Sequence, residues 1–211
     1  MKISNCSGWA LVGAYLFASS AQAGVQYQVT VNTTSINATT GFLDFQFNPG
    51  NVTSQSATAV LSNFSGGVAG AVNSVSGNVT GSLPGTVTLV NSTPFQELFQ
   101  TFTFGNSFSF ILDLSGAAIT APNGTSTAGS TFGLGLYDSG QNPILTSQGA
   151  GTGFAGQVQI NLNGTTTPTG FLQSTGAPSV VSFVRVVVPE PGAMGLVGLG
   201  LITLLVTRRK P

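Results

Sequence analysis

The sequence predicts an all-β protein, an antiparallel β-sandwich resembling a jelly roll, flanked by a targeting segment at each end. Apolar residues of the central part alternate with polar ones, which is the period of a strand that buries one face. Glycine, proline and asparagine cluster between these stripes, where turns are expected. No long window there has the period of an amphipathic helix. These observations predict about ten short strands in two packed sheets.

The alternating stripes and the turns between them place the predicted strands along the chain. The stripes are Val25-Tyr27-Val29-Val31, Leu43-Phe45-Phe47, Phe108-Phe110-Leu112-Leu114, Phe132-Leu134-Leu136, Val158-Ile160-Leu162 and residues 180–188. The turns are Asn48-Pro49-Gly50, Pro84-Gly85, Pro122-Asn123-Gly124 and residues 138–143. For two apolar segments, residues 58–61 and 95–99, the sequence does not decide between helix and strand. Of the 15 phenylalanines, all but Phe17 follow the N-terminal segment, and we expect them to fill the core.

The first 23 residues are predicted to be a secretory signal peptide. Lys2 precedes an apolar run, and Ala21-Gln22-Ala23 forms the small-x-small site that signal peptidase cleaves, so the mature chain begins at Gly24. The only cysteine, Cys6, lies inside this segment, and the mature chain therefore forms no internal disulfide. Residues 24–186 are then a β-sandwich ectodomain of a size that can bury a shared core.

The C-terminal segment, residues 187–211, has three parts in a fixed order. Pro189-Glu190-Pro191 comes first, and residues 192–207 then carry no charge. As a helix these 16 residues span about 24 Å, somewhat less than the roughly 30 Å of a bilayer core. Arg208, Arg209 and Lys210 follow, where the positive-inside rule places a membrane-stop cluster. A short transmembrane helix is predicted, and a plain single-pass anchor would have the same physical features.

This three-part tail resembles the PEP-CTERM sorting signal of Gram-negative bacteria. The resemblance implies that exosortase, a membrane-embedded cysteine transpeptidase, recognises Pro189-Glu190-Pro191 and processes the tail after a transient membrane anchoring. The prolines bias this stretch towards an extended backbone, which a processing enzyme can bind. Residues 41–50, 56–64 and 132–145 also resemble a recurring β-rich domain of PEP-CTERM surface proteins. That domain supplies no functional residues to transfer.

Charge and residue types limit the chemistry of the body. Its four carboxylates, Asp44, Glu97, Asp113 and Asp138, face one cation, Arg185, which leaves residues 24–188 with a formal net charge of −3. Nucleic-acid binding needs a basic surface and is excluded. Without histidine or mature cysteine, neither a Ser-His-Asp or Cys-His unit nor a zinc or copper site of the usual kind is expected.

The four carboxylates do not predict an active site either. Asp44 and Asp113 are out of phase with the apolar stripes, which predicts a solvated outward face for both. Asp138 stands in a turn, where it is expected to accept hydrogen bonds from turn amides and is too isolated for calcium. No catalytic, cofactor or metal residue is predicted, and an enzyme is not expected.

Two functions remain for the body. The resemblance implies a secreted surface or matrix protein, structural or adhesive, beside exopolysaccharide. The alternative is a carbohydrate-binding module on the same sandwich, for which the surface of Ser, Thr, Asn and Gly is suited. Such modules commonly stack sugars on exposed aromatic rings. The body has no tryptophan, and its tyrosines are Tyr27 and Tyr137.

Overall fold

The computed structural model describes residues 24–148 and 152–187, which form two six-stranded antiparallel sheets. The strands are β1 (Val25–Asn32), β2 (Thr40–Pro49), β3 (Thr58–Ser65), β4 (Val68–Ser76), β5 (Val79–Thr80), β6 (Val87–Val90), β7 (Glu97–Thr103), β8 (Ser107–Ser115), β9 (Ser130–Asp138), β10 (Phe154–Ile160), β11 (Thr166–Gly170) and β12 (Val181–Val186). A 3-10 turn at Thr34–Ile36 and a short helix, α1 (Ala117–Thr120), are the helical elements of the described residues.

The strand order shows how the chain crosses between the sheets. Sheet A has the order β12-β1-β8-β3-β6-β5, and sheet B has the order β11-β10-β9-β2-β7-β4. From β1 to β4 and again from β6 to β9, consecutive strands lie in opposite sheets. This alternation is typical of jelly-roll sandwiches. The prediction of an all-β fold with two antiparallel sheets is confirmed.

The two sheets share one apolar core. Phe45 of β2 and Phe110 of β8 meet edge to face across it, with ring centroids 5.6 Å apart. A β-bulge in β3 lies beside Phe64, whose ring stacks on Phe108 and Phe110. Residues of the predicted stripes in β1, β2, β8 and β9 are buried in this core. Their burial supplies the main stabilising contribution.

The structure refines three of the predictions about the elements. Residues 58–61 lie in β3, and residues 95–99 lead into β7, so both segments contribute to strands. Leu162 was placed in a buried stripe wrongly, because β10 ends at Ile160 and Leu162 is 49% exposed in the following turn. Seven of the fourteen phenylalanines expected in the core are buried in it, and Phe64 and Phe183 pack against it partly buried. Phe42 and Phe99 instead lie on the outer side of sheet B.

The predicted signal peptide and C-terminal transmembrane helix lie outside the described residues. Among residues 24–148 and 152–187, no helix has the length and apolar character needed to cross a membrane.

Replacement of Phe45 by alanine should destabilise the fold strongly. Phe45 is fully buried and touches Phe110 from the opposite sheet, so the change leaves a cavity between the sheets. We expect a loss of about 3–5 kcal/mol in the free energy of unfolding, measured by urea denaturation. Val52→Ala is the control, because Val52 is 96% exposed and its truncation should change that free energy by less than about 0.5 kcal/mol. Equal stability of Phe45→Ala and the wild type would contradict this account of the core.

Candidate functional site

The outer side of sheet B carries the features that could bind or sense a ligand. Because neighbouring strands are in register, outward residues form rows across the sheet. One row runs through Thr167, Gln159, Thr131 and Asn48, and the next through Thr169, Gln157, Gly133 and Gln46. A third row joins Gly135 to Asp44 and Phe99. Polar uncharged groups thus occupy one end of this face and aromatic rings the other.

Asp44 is buried, which corrects the prediction of a solvated outward carboxylate. Its alternation in β2 does direct it away from the core, but only 2% of the residue is exposed. Its Oδ2 atom accepts a hydrogen bond of 2.7 Å from Gln46 Nε2. Its Oδ1 atom is buried and has no hydrogen-bond partner among the described residues. A buried, half-satisfied carboxylate is costly for a folded protein.

Glu97 of β7 lies close to Asp44 and shares the same amide. Gln46 Nε2 is 3.5 Å from Glu97 Oε1, so one NH₂ group faces both carboxyls. The pKa of Asp44 is raised to about 7, chiefly by burial and then by repulsion from Glu97, while the interactions with Gln46 and Tyr137 lower it in part. Burial also raises the pKa of Glu97. Near neutral pH, Asp44 therefore exchanges its proton in the folded protein.

An aromatic layer explains the burial of Asp44. Phe42 and Phe99 stack with centroids 4.7 Å apart, and Phe99 meets Tyr137 edge to face at 5.4 Å. The pKa of Tyr137 is raised to about 12, by burial first and then by the negative charge of Asp44 and Glu97. Sequence reasoning missed this layer because each ring belongs to a different strand.

Two glycines of β9 make room for the layer. A Cβ atom at Gly135 would lie 2.7 Å from the ring of Tyr137 and 3.3 Å from the Cβ of Asp44. A Cβ atom at Gly133 would collide with the ring of Phe154, which is buried although it faces outward. The rings therefore pack directly on the backbone of β9.

The polar end of the face is bounded by an open cleft, here called the β10 cleft. Its volume is about 630 Å³, and its lining is uncharged. The lining residues are Gly50, Thr127, Ala128, Gly129, Thr131, Gln159, Asn161, Leu162, Asn163 and Thr165. Gln159 faces outward between the buried Val158 and Ile160 of β10, and the two flanking loops join it only in the folded chain.

A second cleft of about 560 Å³ shares Gly50 with the β10 cleft. The β2–β3 loop is joined to the 127–129 segment by hydrogen bonds. Asn51 Nδ2 donates to Thr127 Oγ1 at 2.8 Å, and Ser54 Oγ donates to the carbonyl oxygens of Ala128 and Gly129. The side chain of Asn91, which lines the second cleft, already forms hydrogen bonds within the protein. Its Oδ1 atom accepts from the backbone N–H of Ala57, and its Nδ2 atom donates to the carbonyl oxygen of Gln55 and to Ser130 Oγ.

Neither tyrosine forms an exposed stacking platform. Tyr27 is 3% exposed, and its hydroxyl group forms a hydrogen bond of 2.7 Å with Thr166 Oγ1. Tyr137 is half-buried against Phe99. Tyr27 therefore has no exposed ring on which a sugar could stack, and the ring of Tyr137 is only partly exposed.

The remaining carboxylates have structural partners. Asp138 Oδ1 accepts hydrogen bonds from the backbone N–H groups of Gly140 and Asn142, at 2.8 and 2.9 Å, in agreement with the predicted turn role. Asp113, on the outer side of sheet A, is half-buried and accepts a hydrogen bond of 2.6 Å from Gln26 Nε2. In residues 24–148 and 152–187, no three acidic side chains come together as metal ligands would.

The predicted sorting residues lie outside the described part of the chain. These are Ala21 and Ala23 of the cleavage site, Pro189-Glu190-Pro191, and Arg208, Arg209 and Lys210. Gly24, the expected first mature residue, directly precedes β1. At the other end β12 stops at Val186, and Val187 is 86% exposed. The last strand of the described residues thus ends directly before the predicted sorting signal.

Comparison with known proteins identifies this tail. Residues 187–210 match the model of the PEP-CTERM protein-sorting motif. No curated protein and no solved structure matches the chain. The chain carries a PEP-CTERM sorting signal, which confirms the resemblance seen in the sequence. This signal implies a secreted protein that exosortase processes and that reaches the cell surface or the extracellular space.

Replacing Asp44 by asparagine should remove the pH dependence of stability that this residue confers. The pKa of about 7 in the folded chain exceeds the ordinary 3.8, so the folded state holds the proton more tightly. The contribution of the Asp44 carboxyl to the free energy of unfolding is therefore fully present below about pH 4, and it is lost as the pH rises through about 7. We expect Asp44→Asn to gain up to about 4 kcal/mol in the free energy of unfolding at pH 8 and little at pH 4, measured by urea denaturation.

Asp138→Asn provides a control of opposite sign. Hydrogen bonds from Asn142 and Gly140 lower the pKa of Asp138, so its contribution is present at neutral pH and disappears as the solution becomes acidic. This variant should be less stable than the wild type at pH 7 and equal to it at low pH. A pH profile of Asp44→Asn parallel to that of the wild type would refute the assignment.

Proposed function

We propose that the protein is a structural or adhesive component of the bacterial surface or extracellular matrix, associated with exopolysaccharide and processed by exosortase. The observation that carries this proposal is the PEP-CTERM motif at residues 187–210, placed directly after a folded β-sandwich body. The motif directs the sorting of the protein, and the β-sandwich body is the part that reaches the surface. The association with exopolysaccharide is inferred from the PEP-CTERM resemblance.

The route to the surface follows from the two ends of the chain. In this proposal signal peptidase removes residues 1–23 during passage through the inner membrane of a Gram-negative bacterium. Residues 192–207 then hold the protein in that membrane as a transient helix, and Arg208, Arg209 and Lys210 remain in the cytoplasm. Exosortase acts at Pro189-Glu190-Pro191 and releases the body from this anchor.

A role without catalysis fits the chemistry of the body. A glycosidase needs two carboxyls on opposite sides of a bound sugar. Asp44 and Glu97 do lie close together, but they share the amide of Gln46, and Asp44 is covered by aromatic rings. We infer that a carboxyl pair joined through one amide in this way does not flank a bound sugar. We therefore propose a binding or scaffolding protein.

A carbohydrate-binding module is the second candidate function. It is favoured by the β10 cleft, in which amide and hydroxyl groups line an open space without any charged side chain. Hydrogen bonding then replaces the aromatic stacking that the tyrosines cannot provide. The two candidates are compatible, because a matrix protein can be held in place by the polysaccharide it binds.

The sorting step can be tested by the mass of the protein recovered from cells and medium of its native host. We expect the wild type to lack the first 23 residues and the part of the tail that follows the Pro-Glu-Pro region. Glu190→Ala should retain the basic C-terminus and stay in the membrane fraction, because the recognition tripeptide is broken. Intact-mass spectrometry of each fraction gives the result directly.

Thr203→Ala, also in the tail but outside the tripeptide, is the matched control and should be processed like the wild type. Arg208, Arg209 and Lys210 retained in every form would indicate a plain membrane anchor and would overturn the exosortase assignment. A protein found only in the cytoplasm would refute the surface role itself.

A further inference from the structure

We propose that the β10 cleft binds a segment of neutral polysaccharide, a specificity that rests on the surface role proposed above. The cleft lies between the 127–131 segment and the 161–165 turn, with β10 as its floor. Its volume of about 630 Å³ is within the range of ligand sites in proteins. Because the cleft is open towards the outer face of sheet B, a chain can extend beyond it along the row of Gln157 and Thr169.

Free hydrogen-bonding groups point to a ligand with many hydroxyls. The side chains of Gln159 and Thr131 lie opposite each other in register, and neither has a hydrogen-bond partner within the described part of the chain. An amide and a hydroxyl each donate and accept, which suits a sugar hydroxyl that does the same. Bound sugar would satisfy both side chains at once.

The walls of the cleft are already ordered, which lowers the cost of binding. Asn161 Nδ2 donates to Thr165 Oγ1 at 3.0 Å and to Thr167 Oγ1 at 2.9 Å, and Asn163 Oδ1 accepts from the hydroxyl and amide groups of Thr165. On the other wall, a Cβ atom at Gly129 would collide with the carbonyl oxygen of Ile160, so only glycine permits this close approach. A preformed site loses less conformational entropy when it binds its ligand.

Charge and apolar contact narrow the ligand class. None of the lining residues is charged, so an anionic polysaccharide would find no cation to compensate its desolvation. The one cation of the described residues, Arg185, is on β12 of sheet A. Leu162, 49% exposed at the rim, offers an apolar surface to the C–H face of a pyranose ring. A neutral polysaccharide meets all of these conditions.

The test uses the full mature chain and affinity electrophoresis in gels that contain dextran, hydroxyethyl cellulose or, as the anionic comparison, alginate. We expect retardation by at least one neutral polymer and none by alginate, with little change between about 0.05 and 0.5 M salt because no ion pair is involved. The double variant Thr131→Val/Gln159→Ala should bind at least about tenfold more weakly, since two hydrogen bonds are lost.

Matched controls separate the cleft from the rest of the surface. Thr30→Val/Gln28→Ala makes the same changes on β1 of sheet A and should bind like the wild type. Leu162→Ala should weaken binding about threefold or more through the lost apolar contact, whereas Leu172→Ala, at an equally exposed leucine outside the cleft, should not. Thermal unfolding of each variant verifies that the protein remains folded.

The outcomes are distinct from those of the sorting experiment. Neutral-polymer binding that the cleft variants abolish supports the site. Binding that is equal in the cleft and control variants, binding only to alginate, or no binding to either neutral polymer overturns it. Each of these results leaves the mass of the processed protein, and hence the sorting assignment, unaffected.

Discussion

Contact between the apolar faces of the two sheets is the interaction on which the rest of the molecule depends. Phe45 and Phe110 meet at its centre, and Phe64 is brought into it by a bulge in β3. The described residues contain no cysteine and a single cation, Arg185, so neither disulfides nor a network of ion pairs supports the fold. Stability therefore rests chiefly on apolar burial, together with the hydrogen bonds of the two sheets.

Sheet B is unusual in that part of its outer face is also covered. The alternation that buries Phe45 turns Asp44 outward, yet rings from three strands and the backbone of β9 enclose it. Its free Oδ1 atom and its neighbour Glu97 make this a costly arrangement near and above neutral pH. Ionisation of Asp44 is therefore expected to destabilise this part of sheet B as pH rises through about 7.

The two halves of the functional proposal have different physical origins. Sorting resides in a linear signal at residues 187–210, which an enzyme can read from an extended chain. Binding resides in the β10 cleft, where two loops and a strand must come together. An uncharged cleft suits a partner that is abundant and neutral, since weak hydrogen bonds repeated along a polymer can hold a protein in a matrix without electrostatic attraction.

The sequence by itself determined the all-β class, most of the buried stripes and the sorting tail, because each depends on local periodicity or on a short linear motif. It also marked Asp44 as an outward residue of β2, while the structure places Gln159 on the outward face of β10. Only the tertiary structure decided what lies beside them: open space and two loops at Gln159, aromatic rings from neighbouring strands at Asp44. The alternation of apolar and polar residues predicts which face of a strand a residue occupies. The order and register of strands that are distant in sequence determine whether that face is exposed to solvent or covered by other side chains.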